Sequence, residues 1–288
     1  MATDNMVSEK IGLKRKGYVA LASLYNGERA DYFRLSLGSA LSQSLRVPVV
    51  IVVDGPINNT LKEILAEYKN ELFDIIYLER NLGLGRALDH ALDLLRNEFE
   101  YVIRFDTDDI NLPTRFEKLV EAMEQKEYDL LGSSMVEFYV SSGNETIILG
   151  ERRTPYDEAG IRRIVHWRNP FNHPTICFSI EKAILAGGYQ HMPFFEDWFL
   201  WARMMACNAS MGNLEENLVD FRGGPAALRR RRGFKYMKFE FIFFLALWRL
   251  NLPNKYEIIF SLPLRLMTRS LGGFMFKKVY YWSRAFIQ

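Results

Sequence analysis

Cysteine is nearly absent: Cys177 and Cys207 are the only two in 288 residues. Two thiols cannot build a disulfide framework, and neither stands at a zinc-site spacing from histidine, so a reducing compartment is expected. Long hydrophobic runs are missing as well. The most apolar stretches of the C-terminal part, Phe241 to Trp248 and Ile258 to Leu264, fall well short of the ~20 residues that span a bilayer. No apolar run accompanies the Lys14-Arg15-Lys16 cluster as it would in a secretory signal. Residues 1–16 are therefore expected to form a mobile leader on a chain made in the cytoplasm. A dinucleotide fingerprint also fails: Gly83-Leu84-Gly85 begins one, but Leu88 stands where the third glycine belongs, which excludes NAD.

What is present fits a globular chain, 49% hydrophobic and 25% charged, large enough for one sizeable domain and an appendage. The formal net charge of +2 hides a division. Residues 225–288 hold thirteen Lys and Arg against Glu240 and Glu257, whereas residues 1–224 carry more acids than bases. Two unlike parts are expected, with a boundary near residue 224.

The first part alternates apolar, β-favouring segments (Tyr18 to Leu24, Val47 to Val53, Phe73 to Leu78, Tyr101 to Phe105) with helical periodicity over Arg29 to Ser44, from Thr60, and over Arg86 to Leu95. Thr60-Leu61-Lys62-Glu63 reads as a capping box. This order predicts an α/β fold, Rossmann-like, with a mostly parallel central sheet covered by helices on both faces. Ligands of such sheets bind beyond the carboxyl ends of the strands. The residues to inspect there are Ser23, Tyr25 and Asn26, then Asp54 and Gly55, then Arg80, Asn81 and Gly83, and finally the acids after the fourth strand. Asp54-Gly55 reads equally well as a plain turn.

Tyr101 to Asp109, Tyr-Val-Ile-Arg-Phe-Asp-Thr-Asp-Asp, is the segment around which the rest is organised. Side chains alternate along an extended backbone, so Asp106 and Asp108 point one way and Thr107 the other, and the two carboxylates can face one hard cation. Mg²⁺ or Mn²⁺ held by so few carboxylates shares its shell with phosphate oxygens, which suggests a nucleotide diphosphate. The bland alternative is an acidic turn before a helix that begins near Pro113. Farther on, Thr154-Pro155-Tyr156-Asp157 predicts a helix start with Pro at its first position, and Asn169 to Thr175 is a Pro- and Asn-rich loop. Glu196 and Asp197 open an apolar helix. Phe194, Phe195, Trp198 and Trp201 around Asp197 would raise its pKa toward that of a general base. His173 is a second candidate base, and also a plausible structural histidine.

These motifs, in this order, resemble those of the inverting glycosyltransferases of family 2 with the GT-A fold, of the bacterial kind that builds O-antigen, capsule and exopolysaccharide. The resemblance covers about Tyr18 to Arg222. It implies that Tyr25, Asn26 and Asp54 flank the base, and that Arg80, Asn81, Gly83 and Arg86 line the nucleotide pocket. It further implies that Asp106-Thr107-Asp108 is a DxD motif, in which Asp106 and Asp108 bind Mn²⁺ or Mg²⁺ with the donor diphosphate. The Asn169 to Thr175 stretch matches the family's Asn-Pro-x-x-His-Pro-Thr, and Glu196 to Trp201 its Glu-Asp-x-x-Leu-Trp helix, where the Asp, here Asp197, is the base. His173, Glu196, Trp198 and Arg222 fall in the acceptor region or just behind it. The implied donor is a nucleotide-diphosphate sugar, a UDP-hexose or UDP-N-acetylhexosamine foremost, with a dTDP-sugar as the alternative. The implied acceptor is a lipid-linked glycan of the undecaprenyl diphosphate type. Donor choice depends on positions such as Arg104 and Met135. Val53-Asp54-Gly55-Pro56 departs from the family's double acid, and no Gln-x-x-Arg-Trp is present, which disfavours a processive polymer synthase.

The C-terminal part, with fifteen aromatics among residues 225–288, suits the interface of an anionic membrane, with Trp248, Tyr280, Tyr281 and Trp282 at headgroup depth. The chain would then be peripheral on the inner face of the cell membrane. The competing reading is a helical subdomain packed on the core. The Arg229 to Arg232 run could lie over phosphates, and without a recognised module it does not make a nucleic-acid binder. A non-catalytic scaffold of the same fold is the remaining alternative class.

Overall fold

The computed structural model describes residues 17–141, 143–224 and 233–270. The leader, Arg229 to Arg232, Tyr280, Tyr281 and Trp282 lie outside the described residues. Four parallel strands come first: β1 (Tyr18–Leu24), β2 (Val49–Val53), β3 (Asp74–Tyr77) and β4 (Tyr101–Arg104). They lie side by side in the order β3-β2-β1-β4, and the sheet continues through β8 (Cys177–Ser179), β6 (Leu130–Val140), β9 (Met211–Arg222) and β5 (Ile110–Asn111). Beyond β4 the pairings are mixed. β8 runs antiparallel to β4 and to β6, β9 runs parallel to β6, and β7 (Thr146–Arg152) folds back antiparallel on the outer half of β6. The parallel pairing expected for most of the sheet is that of its first half and of the β6–β9 pair.

Alternation along each strand divides the apolar residues between two faces. Ala20, Ala22, Leu24, Ile51 and Val53 meet Phe33 and Leu37 of α1 (Ala30–Leu41), Leu61 and Ile64 of α2 (Asn59–Glu67) and Phe116 and Leu119 of α4 (Arg115–Lys126). Val19, Leu21, Val50 and Val52 meet Ala87, Leu88 and Ala91 of α3 (Leu84–Leu95), together with α7 (Glu196–Ala206). Two further helices, α5 (Glu158–Ile164) and α6 (Ile180–Leu185), close the second half.

Local signals shifted where a better donor or acceptor competed. The cap of α2 is Asn58, whose side chain accepts from the Leu61 amide, so the box read at Thr60 begins two residues too late. Asp157 caps α5 by accepting from Gly160 N at 2.7 Å, which places Pro155 before the helix rather than at its first position. Pro113 likewise precedes α4, whose N-cap is Thr114.

Residues 233–270 pack on the core, as the competing reading of that region expected. The helix α8 (Phe234–Arg249) lays Phe243 against α7, stacked on Phe195 with ring centroids 4.7 Å apart and equally close to Trp198. The following helix, α9 (Ile258–Ser270), contributes Arg265 and Arg269, which both pair with the fully buried Glu240. Truncating Phe243 to Ala should cost about 3–5 kcal/mol through the cavity left among these rings. Urea unfolding of the full chain checks this, and a cost under about 1 kcal/mol would mean that the ring cluster does not hold α8 down.

Candidate active site

The carboxyl ends of β1, β2 and β4 open on one side of the sheet, and the Asp cluster lies there. Asp106, Asp108 and Asp109 each offer an oxygen within 4.8 Å of the others. The loop carrying them is tied down from several directions. Ser36 Oγ donates to the Asp106 carbonyl at 2.6 Å, Thr107 Oγ1 donates to Glu28 at 2.8 Å, and Arg222 Nε donates to the Asp108 carbonyl at 2.9 Å. The Arg222 amide donates to Asp109 Oδ1 at 2.7 Å. Its guanidinium lies 3.7 Å from the Tyr32 ring centroid and 4.7 Å from that of Phe138, a sandwich that fixes it behind the loop.

Burial and mutual repulsion set the charge of this cluster. Burial works to raise the Asp106 pKa, but Arg104, His173 and Arg115 outweigh it and the net shift is downward. Arg104, 1% exposed, donates to the Asp106 carboxylate. Asp108 is pushed up to about 7 by burial, then by Asp106 and Glu28. Burial, then Asp108 and Asp106, holds Asp109 well above the carboxylate range. Asp109 Oδ2 is buried with no hydrogen-bond partner. Three converging carboxylates, one with an orphaned buried oxygen and two whose pKa burial and then their neighbours raise, fit a hard divalent cation, which would take the oxygens and relieve the repulsion. Binding must expel the Asp108 proton. Affinity for Mn²⁺ should therefore rise at least about tenfold per pH unit below pH 7. Calorimetric titrations from about pH 5.5 to about pH 8 measure this, and a flat profile rejects it.

The second strand end supports the neighbouring loop. Asp54 is buried, and its carboxylate accepts from the amides of Leu82 (2.6 Å) and Gly83 (3.0 Å), while its carbonyl accepts from Asn81 Nδ2 at 3.1 Å. Gly55, at φ +83°, passes so close to this loop that a Cβ would sit 2.4 Å from the Asn81 amide nitrogen. Asp54 thus braces the Arg80–Gly83 segment, and a contact to a base would use only its remaining lone pairs. Asn26 Oδ1 accepts from the Asn58 amide at 2.8 Å, and Tyr25, Arg80 and Arg86 are exposed at the rim.

The first turn of α7 faces this region from the second half of the fold. Asp197 Oδ2 accepts from Asn169 Nδ2 at 2.6 Å. The aromatic residues expected to surround Asp197 turn elsewhere: Phe195 and Trp198 toward α8, and Trp201 into the core beside Phe178 and Tyr189. Trp198 stands behind the first turn of α7, not beside Asp197. It is 4% exposed and its indole donates to the Val165 carbonyl at 3.0 Å, because a helix residue next to Asp197 points about 100° away from it. Glu196 lies against Gly85 of α3, where a Cβ would be 3.1 Å from its Cγ. Burial, then the Asp197 charge, pushes Glu196 up to about 7.

The Asn169 to Thr175 loop divides its labour. Asn172 donates to the carbonyls of Ser133 and Arg152 and Thr175 to that of Ser133, which fastens the loop to β6. Asn169 orients Asp197, and His173 Nε2 pairs with Tyr189 Oη at 3.1 Å. His173 lies within electrostatic reach of Arg104, Asp197 and Asp106; burial and Arg104 lower its pKa against the pull of the two acids, so it is neutral at pH 7. The structure thus brings Asp106, His173 and Asp197 to one place. Met135 and Arg104 are each 1% exposed, and Arg104 meets the cluster by donating to Asp106. Glu28, Tyr32 and Tyr189 are contributors that the motifs did not single out. Glu28 lies just beyond the β1 end, the position that would have flagged it, and Tyr32 is in the first turn of α1.

The fold defines the class first. The crystal structure of S. aureus TarS 1-349 in complex with UDP-GlcNAc superposes with a TM-score of 0.64 at 18% identity, over 86% of this chain and 72% of that one. This is the GT-A fold. The model of glycosyl transferase family 2 matches residues 22–185, and the chain belongs to that family. It is similar to the amylovoran biosynthesis glycosyltransferase AmsE of Erwinia amylovora, 36% identical over 91% of this chain and 96% of the relative. The UDP-Gal:alpha-D-GlcNAc-diphosphoundecaprenol beta-1,3-galactosyltransferase of Escherichia coli is 31% identical over 80% of this chain and 84% of its own length. The chain is thus a glycosyltransferase by family.

Proposed function

We propose that this protein transfers a sugar, with inversion, from a nucleotide-diphosphate sugar to a hydroxyl of a lipid-linked glycan in surface polysaccharide biosynthesis. The observation that carries this reading is that His173 lies within electrostatic reach of two carboxylate sets: Asp106 of the Asp106–Asp108–Asp109 cluster on the sheet, and Asp197, oriented by Asn169, on α7. The names of the Erwinia and Escherichia relatives support the pathway and the acceptor class, and the latter supports a UDP-hexose donor.

Asp106 and Asp108 would hold a Mn²⁺ or Mg²⁺ ion with the donor diphosphate. When bound, such an ion neutralises charge on the departing diphosphate. Tyr25, Asn26, Arg80, Asn81, Gly83, Arg86 and Thr107 form the donor side, and Asp54 keeps the Arg80–Gly83 part of it in shape. Asp197 accepts the proton of the acceptor hydroxyl as its oxygen attacks the anomeric carbon from the face opposite the leaving group. The bond from that carbon to the diphosphate oxygen breaks, and the nucleoside diphosphate leaves with the electron pair. His173, neutral and held by Tyr189, can accept or donate one hydrogen bond to the acceptor, and Arg222 holds the Asp loop from behind.

Incubation with a panel of nucleotide sugars and a short-chain diphosphate-linked N-acetylglucosamine acceptor tests this. Anomeric coupling constants in the product give the stereochemistry. Retention of configuration would overturn the displacement. A cell whose surface polysaccharide survives substitution of both Asp108 and Asp197 would point to the scaffold instead.

A further inference from the structure

The helices α8 and α9 do more than cover the core. Each buries one side, and each turns an apolar stripe outward at helical spacing. On α8, Phe241 and Leu245 are exposed between Lys238 and Arg249, one turn apart along the same side of the helix. On α9, Phe260, Leu264 and Met267 are exposed at 70%, 50% and 59%. Apolar side chains concentrated this way on adjoining helices exceed the scattered exposure of an ordinary surface.

Charge decides what covers them. The only acids among residues 233–270 are Glu240 and Glu257, and both are engaged inward, Glu240 with Arg265 and Arg269 and Glu257 with the Trp167 indole. Lys235, Lys238, Arg249 and Lys255 therefore face no acid from these helices, and Lys255 lies 5.8 Å from the Trp248 ring centroid. A second copy of this face would set like charge against like. An anionic bilayer supplies both the apolar depth for Phe260 and Leu264 and the counter-charge for the lysines. No helix among the described residues is long and apolar enough to cross a membrane, so the stripes are fitted to lie along one.

We infer that the outer face of α8 and α9 seats the enzyme on an anionic lipid surface, and that this face presents the cleft to its lipid-linked acceptor. The coupling is direct, because Phe243 of α8 stacks on Phe195, the residue just before the Glu196–Asp197 turn. The inference rests on the transferase reading only for its purpose; the docking itself stands on the two stripes.

The test is co-sedimentation of the full chain with phosphatidylcholine vesicles, with and without about 30 mol % phosphatidylglycerol, alongside transfer to a water-soluble short-chain acceptor in the same preparations. Binding should require the anionic lipid and weaken with salt. It should fall at least about tenfold in a Phe260→Glu, Leu264→Glu pair and in a Lys235→Glu, Lys238→Glu pair, with soluble transfer unchanged in both. All four side chains are exposed, so the fold should tolerate the changes, and circular dichroism verifies it. Equal pelleting with neutral vesicles, or none with either kind, overturns the assignment. So does a dimer in sedimentation equilibrium that Phe260→Glu dissolves, which would give the face to a second copy. Vesicle binding without soluble transfer defeats the transferase reading and leaves the docking face; transfer without vesicle binding does the reverse.

Discussion

Asp197→Asn should abolish transfer almost completely while leaving donor binding intact. The amide keeps the shape of the carboxylate, and its oxygen can still accept from Asn169 Nδ2, so neither the first turn of α7 nor the Asn169 loop loses its tie. What disappears is the group that takes the acceptor proton. General-base catalysis contributes about 10²- to 10⁴-fold, so kcat should drop by that factor, which is about 3–5 kcal/mol of barrier, with KM for the donor little changed. Asn169→Ala removes only the orienting donor and should cost about tenfold or less, because the carboxylate remains with a poorer aim. Steady-state kinetics on both variants separate the two roles. If Asp197→Asn retained kcat within a few-fold, the base would have to be sought elsewhere. His173 would be the first candidate, since it lies within electrostatic reach of both Asp106 and Asp197 and is neutral at pH 7.

The sequence made the strand ends legible because short continuous apolar runs ending in polar residues leave little choice. In the structure Ala20, Ala22 and Leu24 fall on one face of β1 and Val19 and Leu21 on the other. The sequence concealed β9. Gly212-Asn213-Leu214-Glu215-Glu216-Asn217 carries no alternation, and the β6–β9 ladder shifts register between Ser133 and Ser134 and again between Ser134 and Met135. Each shift breaks the period on which a strand reading rests. The missed strand matters for the site, since its last residue, Arg222, is what holds Asp108 and Asp109. Asp197 was legible as a residue but not in its surroundings. Which way Trp198 and Phe195 turn depends on where α8 packs, and nothing local records that. Asp54 shows the reverse error of emphasis: a carboxylate at a strand end suggests a ligand contact, yet here it is chiefly occupied by two amides of its own chain.

Asp108→Asn and Asp106→Asn should both eliminate metal-dependent binding of UDP, by at least about 100-fold, because each removes a charged oxygen from a three-carboxylate shell. Their effects on stability without metal should have opposite signs. At pH 8 Asp108 is ionised at a cost, since its folded pKa of about 7 lies above that of an unfolded aspartate. A raised acid destabilises the fold as pH climbs from the unfolded to the folded value, so an amide there removes the penalty and should raise the melting temperature. Asp106 is the other case. Its folded pKa is lowered, so its charge stabilises the fold above the unfolded value, and an amide strands the buried Arg104 without its counter-ion. That variant should melt lower. The order should shrink as pH falls toward 5, where Asp108 regains its proton in the parent protein and no longer carries the cost. Melting curves at pH 8 and pH 5 in chelator, beside UDP titrations with Mn²⁺, read both effects in the same samples. Equal melting shifts for the two variants at pH 8 would show that repulsion within the cluster is already relieved in the free protein. The carboxylates would then lack the stored repulsion that metal binding releases, and their role would be reduced to a hydrogen-bonded turn.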